Sequence, residues 1–162
     1  MKKVILIALV CVSLLQAEVQ REYFANGKVS VEASYRDGKL DGIYKEYFRN
    51  GNIRNELSYR DGIEDGMQKK YFRNNTLMYE RNMYNGKRDG MCKEYYNNGT
   101  LKSEILYRDG FKDGLAKYYT RDRRLLKEIV YKRDRAMSGY IYHNGLKVRI
   151  DTSRDNVARR YR

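Results

Sequence analysis

The 24 residues from Tyr47 to Lys70 read YFRNGNIRNELSYRDGIEDGMQKK. Two runs of β-prone residues, Ile43 to Phe48 and Ile53 to Tyr59, flank Asn50-Gly51. Asn-Gly between such runs is a strong hairpin signal, because both positions tolerate positive φ. Asp61-Gly62 and Asp65-Gly66 then supply the connection to the next pair of strands, with glycines where a β-carbon would be forbidden. The pattern recurs without a gap as YFANGKVSVEASYRDGKLDGIYKE from Tyr23, YFRNNTLMYERNMYNGKRDGMCKE from Tyr71 and YYNNGTLKSEILYRDGFKDGLAKY from Tyr95. A fifth copy from Tyr119 keeps Leu125, Glu128 and Tyr131 but carries KRDRAMSG where the glycine turn stood. A sixth survives as Tyr142-His143-Asn144-Gly145. A fixed period of this length marks a stacked repeat array.

Four columns are nearly invariant within the chain. Gly38, Gly62, Gly86 and Gly110 form one, and Gly42, Gly66, Gly90 and Gly114 a second. Glu32, Glu56, Glu80, Glu104 and Glu128 form a third, and Lys45, Lys69, Lys93 and Lys117 a fourth. A two-residue turn at Asn50-Gly51 sets Lys45 opposite Glu56, Tyr44 opposite Leu57 and Phe48 opposite Ile53. The same register opposes Lys69 to Glu80 and Lys93 to Glu104. Opposite charges across a ladder favour pairing by roughly 0.2–1 kcal/mol each. Tyr44, Phe48, Ile53, Leu57 and Tyr59 then share an apolar face, and Lys45, Tyr47, Arg54, Glu56 and Ser58 a polar one, as a half-solvated antiparallel sheet requires. The expected fold is all-β: an elongated antiparallel meander or solenoid of about five hairpins and ten short strands.

Composition agrees with a thin core. The chain has 162 residues, 17 Tyr, no Trp and no Pro. Each Tyr ring buries its body and keeps its hydroxyl near water. The first 17 residues stand apart: Lys2 and Lys3, an apolar run from Val4 to Leu15, then a small residue at Ala17. That is the layout of a signal peptide, too short for a membrane span of roughly 20 apolar residues. Its removal would take Cys11 and leave Cys92 as the only thiol, without an intramolecular disulfide. The expected organisation is a leader at 1–17, the repeat array at 18–145, and a basic tail or cap at 146–162. The net charge of +13 is concentrated late, since residues 121–162 hold 13 basic and 5 acidic side chains.

Several side chains have the right chemistry for a site but the wrong arrangement. Asp37, Asp41, Asp61, Asp65, Asp89, Asp109 and Asp113 recur at turns, two per repeat, whereas calcium needs six to eight oxygens in one cage. The Lys and Glu columns repeat regularly, whereas catalysis needs one site. His143 lacks a second ligand, and Cys92 occupies the column of Tyr44, Gln68 and Ala116. No catalytic residue, metal site, cofactor or small-molecule substrate is expected. Tyr47, Tyr71, Tyr95 and Tyr119 are the candidates for a binding face, because aromatic rings among cations make good contacts. Arg159 and Arg160 represent the basic end, suited to an anionic surface. No nucleic-acid-binding signature accompanies them.

The pattern Y-x-D-G-x-x-D-G-x-x-K-x-Y-Y-x-N-G-x-L-x-x-E, seen best at Lys93 to Glu104 and Tyr107 to Leu115, resembles the bacterial variant of the MORN repeat. Proteins of this architecture include antitoxin-like repeat proteins of the YwqK type. The resemblance implies protein–protein contacts, dimerisation or membrane association, and no active site. The expected function is therefore that of an exported, non-enzymatic binding protein: a scaffold, adhesin-like factor or invasion accessory. It would contact a protein partner or an anionic membrane or cell surface, with homo-oligomers permitted. The alternative is an antitoxin-like or immunity-like inhibitor of one toxin. Mass spectrometry of the chain from fractionated cells should find Glu18 as the mature N-terminus, outside the cytoplasm. Retention of Met1 in the cytosol would refute export.

Overall fold

The computed structural model describes residues 17–143 and 145–150. Leader residues 1–16 and tail residues 151–162, including Arg159 and Arg160, lie outside the described residues. The described chain is one antiparallel sheet of 13 strands: β1 (Glu18–Tyr23), β2 (Val29–Arg36), β3 (Lys39–Tyr47), β4 (Ile53–Arg60), β5 (Ile63–Tyr71), β6 (Leu77–Tyr84), β7 (Lys87–Arg88), β8 (Gly90–Tyr95), β9 (Leu101–Arg108), β10 (Phe111–Tyr119), β11 (Leu125–Lys132), β12 (Arg135–His143) and β13 (Leu146–Ile150). Each strand pairs with its chain neighbours, except that β6 pairs with both β7 and β8. The sheet continues through β13, into the stretch from 146 expected to be a tail or cap, and the glycine-poor fifth repeat pairs like the others.

The two kinds of turn exchange the roles their sequences suggest. Asp61 (φ 50°) and Gly62 (φ 83°) both have positive φ, and Arg60 pairs directly with Ile63. This is the tight two-residue turn that matches strand twist. Asn85 and even Arg133 occupy the Asp position with φ of 47°. At the Asn-Gly turns only the second residue has positive φ. Gly51 N donates to Phe48 O at 2.8 Å, and Phe48 N donates to Asn52 O at 2.8 Å. Asn50 Oδ1 accepts from Asn52 N at 3.1 Å. The loop is therefore three residues long, a type I turn completed by a left-handed residue. An extra residue, Arg54, then restores the register, because Tyr47 pairs with Ile53 and Glu46 with Asn55. Lys45↔Glu56 and Tyr44↔Leu57 pair as the sequence suggests, but Ile53 opposes Tyr47 instead of Phe48 and joins the opposite face.

Burial falls on one face only. Ala33, Gln68, Met83, Ser103, Tyr107, Ala116 and Ile129 are the buried residues, and the register puts all of them on the face of Tyr44 and Leu57. A single layer can bury Gln68 and Tyr107 on one side only by curling toward that side. We call this the inner face, and the face of Lys45 and Tyr47 the outer.

The curl has a local cause. Opposite Ser58, between the pairs Tyr59↔Glu64 and Leu57↔Gln68, β5 carries three residues, Asp65 to Met67. Gly66 lies in this bulge with φ of 104°, and a β-carbon there would stand 3.1 Å from Ser58 Cβ. Gly66→Val should therefore cost about 1–3 kcal/mol, through a forbidden φ and a clash, measured by chemical denaturation. Asp61→Asn should stay within about 0.5 kcal/mol of the parent, because Asn85 already fills that position.

Candidate binding surface

Successive repeats are joined along both edges of the sheet. At the Asp-Gly edge, each turn donates a backbone hydrogen bond to the hairpin before it: Gly62 N to Leu40 O at 2.7 Å, Gly86 N to Glu64 O at 2.8 Å, and Gly110 N to Arg88 O at 2.9 Å. The degenerate fifth turn keeps the bond, from Asp134 N to Lys112 O at 2.9 Å. The aspartates before Gly42, Gly66, Gly90 and Gly114 belong to this joint. Asp89 Oδ2 accepts from Asp109 N at 3.2 Å, and Asp41, Asp65 and Asp113 pair with Arg36, Arg60 and Lys132 at 3.6, 3.4 and 3.1 Å. Among the described residues no three of His, Cys, Asp or Glu gather as a metal site. At the Asn-Gly edge, side chains reach the next turn: Asn52 Nδ2 to Arg73 O at 3.1 Å, Asn74 Nδ2 to Asn97 O at 3.1 Å, and Thr100 Oγ1 to Arg121 O at 3.1 Å.

These joints leave the outer face as a set of parallel stripes. Tyr47, Tyr71, Tyr95 and Tyr119 form one, half-buried beside the Lys and Glu columns. Tyr95 Oη donates to Glu80 at 2.8 Å, Tyr119 Oη to Glu104 at 2.9 Å, and Tyr142 Oη to Glu128 at 2.7 Å. Each Glu belongs to the hairpin before, so the phenols brace neighbouring repeats. Among the described residues, Tyr47 and Tyr71 share the column without that bond. Each Lys stands between two Glu columns, and three of the four pair with one or the other: Lys45 with Glu56 at 3.9 Å, but Lys93 with Glu80 at 3.8 Å and Lys117 with Glu104 at 3.7 Å. The Lys–Glu stripe is thus close to neutral.

A further stripe escapes a reading of motifs. Ile43, Met67, Met91 and Leu115 each follow the second glycine of a repeat, and each pairs on the outer face with Ser58, Asn82, Leu106 or Val130. They are 42, 44, 43 and 41 % exposed. The recurrent Gly-apolar pair is the signal that marks them. The invariant glycine draws the eye first, because the residue after it varies among Ile, Met and Leu.

A family model described as the MORN repeat variant matches residues 19–37, 40–61 and 88–109. Each matched segment is one hairpin closed by an Asn-Gly turn: β1–β2, β3–β4 and β8–β9. The chain is a MORN-variant repeat protein. No curated protein matches it significantly. In this MORN-variant array Gly38, Gly62, Gly86 and Gly110 close the tight turns, and Gly42, Gly66, Gly90 and Gly114 lie in the bulges that follow.

The braces have a titration signature. Burial first, and the hydrogen bond to glutamate second, push Tyr95 up to about 12, and burial with the Glu104 bond does the same to Tyr119. A raised phenol pKa means that the fold favours the protonated form. Its stabilisation is complete below the ordinary value of 10 and is lost as pH rises through about 12. Alkaline titration by tyrosinate absorbance should show a late-ionising set of phenols that Tyr95→Phe and Tyr119→Phe diminish, the half-buried Tyr118 remaining in it. Thermal stability of the parent should fall across the same interval.

Proposed function

We propose that the chain is an exported, non-enzymatic binding array whose outer face docks a partner protein along the apolar stripe. The observation that carries the reading is the recurrence of Ile43, Met67, Met91 and Leu115, all more than two-fifths exposed, at one position in four successive repeats. Exposed apolar side chains that recur along one row mark an interaction surface, and Met adapts to varied partners. The stripe advances by one hairpin, two strand spacings or about 9.6 Å, per repeat. Repeated weak contacts on a rigid frame add through effective concentration. The half-buried tyrosines beside it extend the contact while bracing the frame.

Export rests on the layout of residues 1–17. A second contact, with an anionic envelope surface, is supported by the cations of the last hairpins, among them Arg121, Arg123, Arg124, Lys147 and Arg149.

The test uses a photo-crosslinking side chain at position 67 or 91 of the full chain in its native cells. Discrete adducts of the same mass should form from both positions. Leu115→Glu with Ile43→Glu should remove them while leaving circular dichroism unchanged, since exposed substitutions cost within about 0.5 kcal/mol. Adducts that persist in this variant would refute docking on the stripe.

A further inference from the structure

Repeat arrays are uniform where only architecture is at stake, so a break confined to one repeat is informative. On the inner face one column reads Ala33, Leu57, Arg81, Ile105, Ile129. Arg81 is its one polar member. Its direct partner across the ladder, Gln68, is fully buried and stands in a column with Tyr44, Cys92 and Ala116. The ladder also breaks here. Where β3, β5 and β10 are continuous nine-residue strands, this repeat splits into β7 and β8.

At the break a hollow of about 110 Å³ opens, lined by Tyr79, Arg81, Arg88, Cys92, Ser103 and Tyr107. The Arg81 guanidinium lies 4.9 Å from the Tyr79 ring centroid and that of Arg88 5.2 Å from the Tyr107 ring. Arg88 Nη1 donates to Tyr107 Oη at 3.2 Å. Arg81 Nε is buried and makes no hydrogen bond. Among the described residues neither guanidinium forms an ion pair. Both glutamates that line the hollow are engaged elsewhere: Glu80 accepts from Tyr95 and pairs with Lys93 at 3.8 Å, and Glu94 pairs with Lys102 at 3.2 Å.

Two planar cations packed on aromatic rings, with hydroxyls beside them and neither paired to a carboxylate, are complementary to a carboxylate. The volume equals about four waters, enough for one acidic side chain and too little for a large ligand. We propose that this hollow is a carboxylate pocket that receives an Asp or Glu side chain of a partner polypeptide. Only the polypeptide source rests on the partner-binding reading above; the pocket stands on its own geometry.

Cys92 reports on the site. Burial pushes its thiol up, while Arg88 and Arg81 pull it down. A bound carboxylate would offset the arginines and cover the sulfur, slowing alkylation on both counts. In the full chain, the rate of alkylation by a neutral reagent is followed by the mass of the peptide bearing Cys92. The probes are a capped peptide with a single Glu, the same peptide with Gln, propionate, and inorganic phosphate. The Glu peptide should protect Cys92 saturably and more tightly than propionate, and the Gln peptide and phosphate should not protect it. Arg81→Leu, which installs the residue of the equivalent position 57, should weaken protection roughly 10- to 100-fold with melting unchanged or raised. No protection, phosphate protection, or protection indifferent to Arg81→Leu would overturn the pocket. Propionate protection without peptide protection would overturn the polypeptide source. If crosslinks from positions 67 and 91 survive while the pocket test fails, stripe docking stands and this proposal alone is lost.

Discussion

The structure depends on one short contact made again in each repeat: the backbone hydrogen bond from an Asp-Gly turn to the strand of the preceding hairpin. A ladder holds a strand only to its immediate neighbours. The bonds from Gly62 to Leu40, Gly86 to Glu64 and Gly110 to Arg88 reach past that neighbour and draw the Asp-Gly edge together. The bulged glycines let each strand turn back to meet the bond, and the aspartates beside them fasten the turn that comes next. With one edge drawn in, the sheet must curl. Curling buries Ala33, Met83, Tyr107, Ala116 and Ile129 without a second layer, and so a chain poor in aliphatics can still shield part of its surface from water.

The same constraint divides the two faces by role. The inner face is drawn in by the curl, and its composition is tuned to fit: small Ala33 and Ala116 in the tightest places, rings elsewhere. The outer face is opened by it. Lys–Glu pairs and tyrosine braces take up most of its polar chemistry, leaving the column after each bulged glycine only partly covered by its cross-strand neighbours. The apolar stripe is thus a by-product of the joint that makes the array, because the residue after Gly42, Gly66, Gly90 or Gly114 must point outward. That the position holds Ile, Met, Met and Leu, where a polar residue would serve solubility better, is the feature that the architecture does not require.

Much of this was legible in the sequence, and the misses are instructive. The period, the strands and the Lys45–Glu56 register followed from recurrence and alternation alone. The turn types did not. Asn-Gly and Asp-Gly both tolerate two left-handed residues, and what separates them is longer range: Asn50 lends its side chain to Asn52 and its neighbour's turn, while Asp61 and Gly62 must fit beneath the bond to Leu40. Because an extra residue at Arg54 repairs the register, the error moved Ile53 to the other face without disturbing Lys45 or Tyr44. The second aspartate of each repeat resembles a spare ligand in sequence and acts as a fastener in space. Arg81 follows the Glu column directly, in a row of Ala, Leu and Ile that the 24-residue period already aligns; what recurrence alone does not show is the hollow that opens where β7 and β8 part.

Among the described residues β1 and β13 each lack a neighbour on one side, which invites growth by addition of further copies, but the two edges are poorly matched for it. The register of β1 puts Arg21 on the outer face and Glu18, Gln20 and Glu22 on the inner. That of β13 puts Lys147 and Arg149 on the outer face and Leu146, Val148 and Ile150 on the inner. If one copy's β1 continued another's β13 with the curl preserved, Arg21 would meet Lys147 or Arg149, and two glutamates would lie along an apolar row. Like charges across a ladder oppose pairing, and the apolar row would gain no cover. Lys147 of β13 already has partners within its own chain, since it lies 3.6 Å from Glu128 and over the ring of Tyr140. Self-association through the faces is untouched by this mismatch, and the outer stripe is a surface that a partner can reach without using either edge.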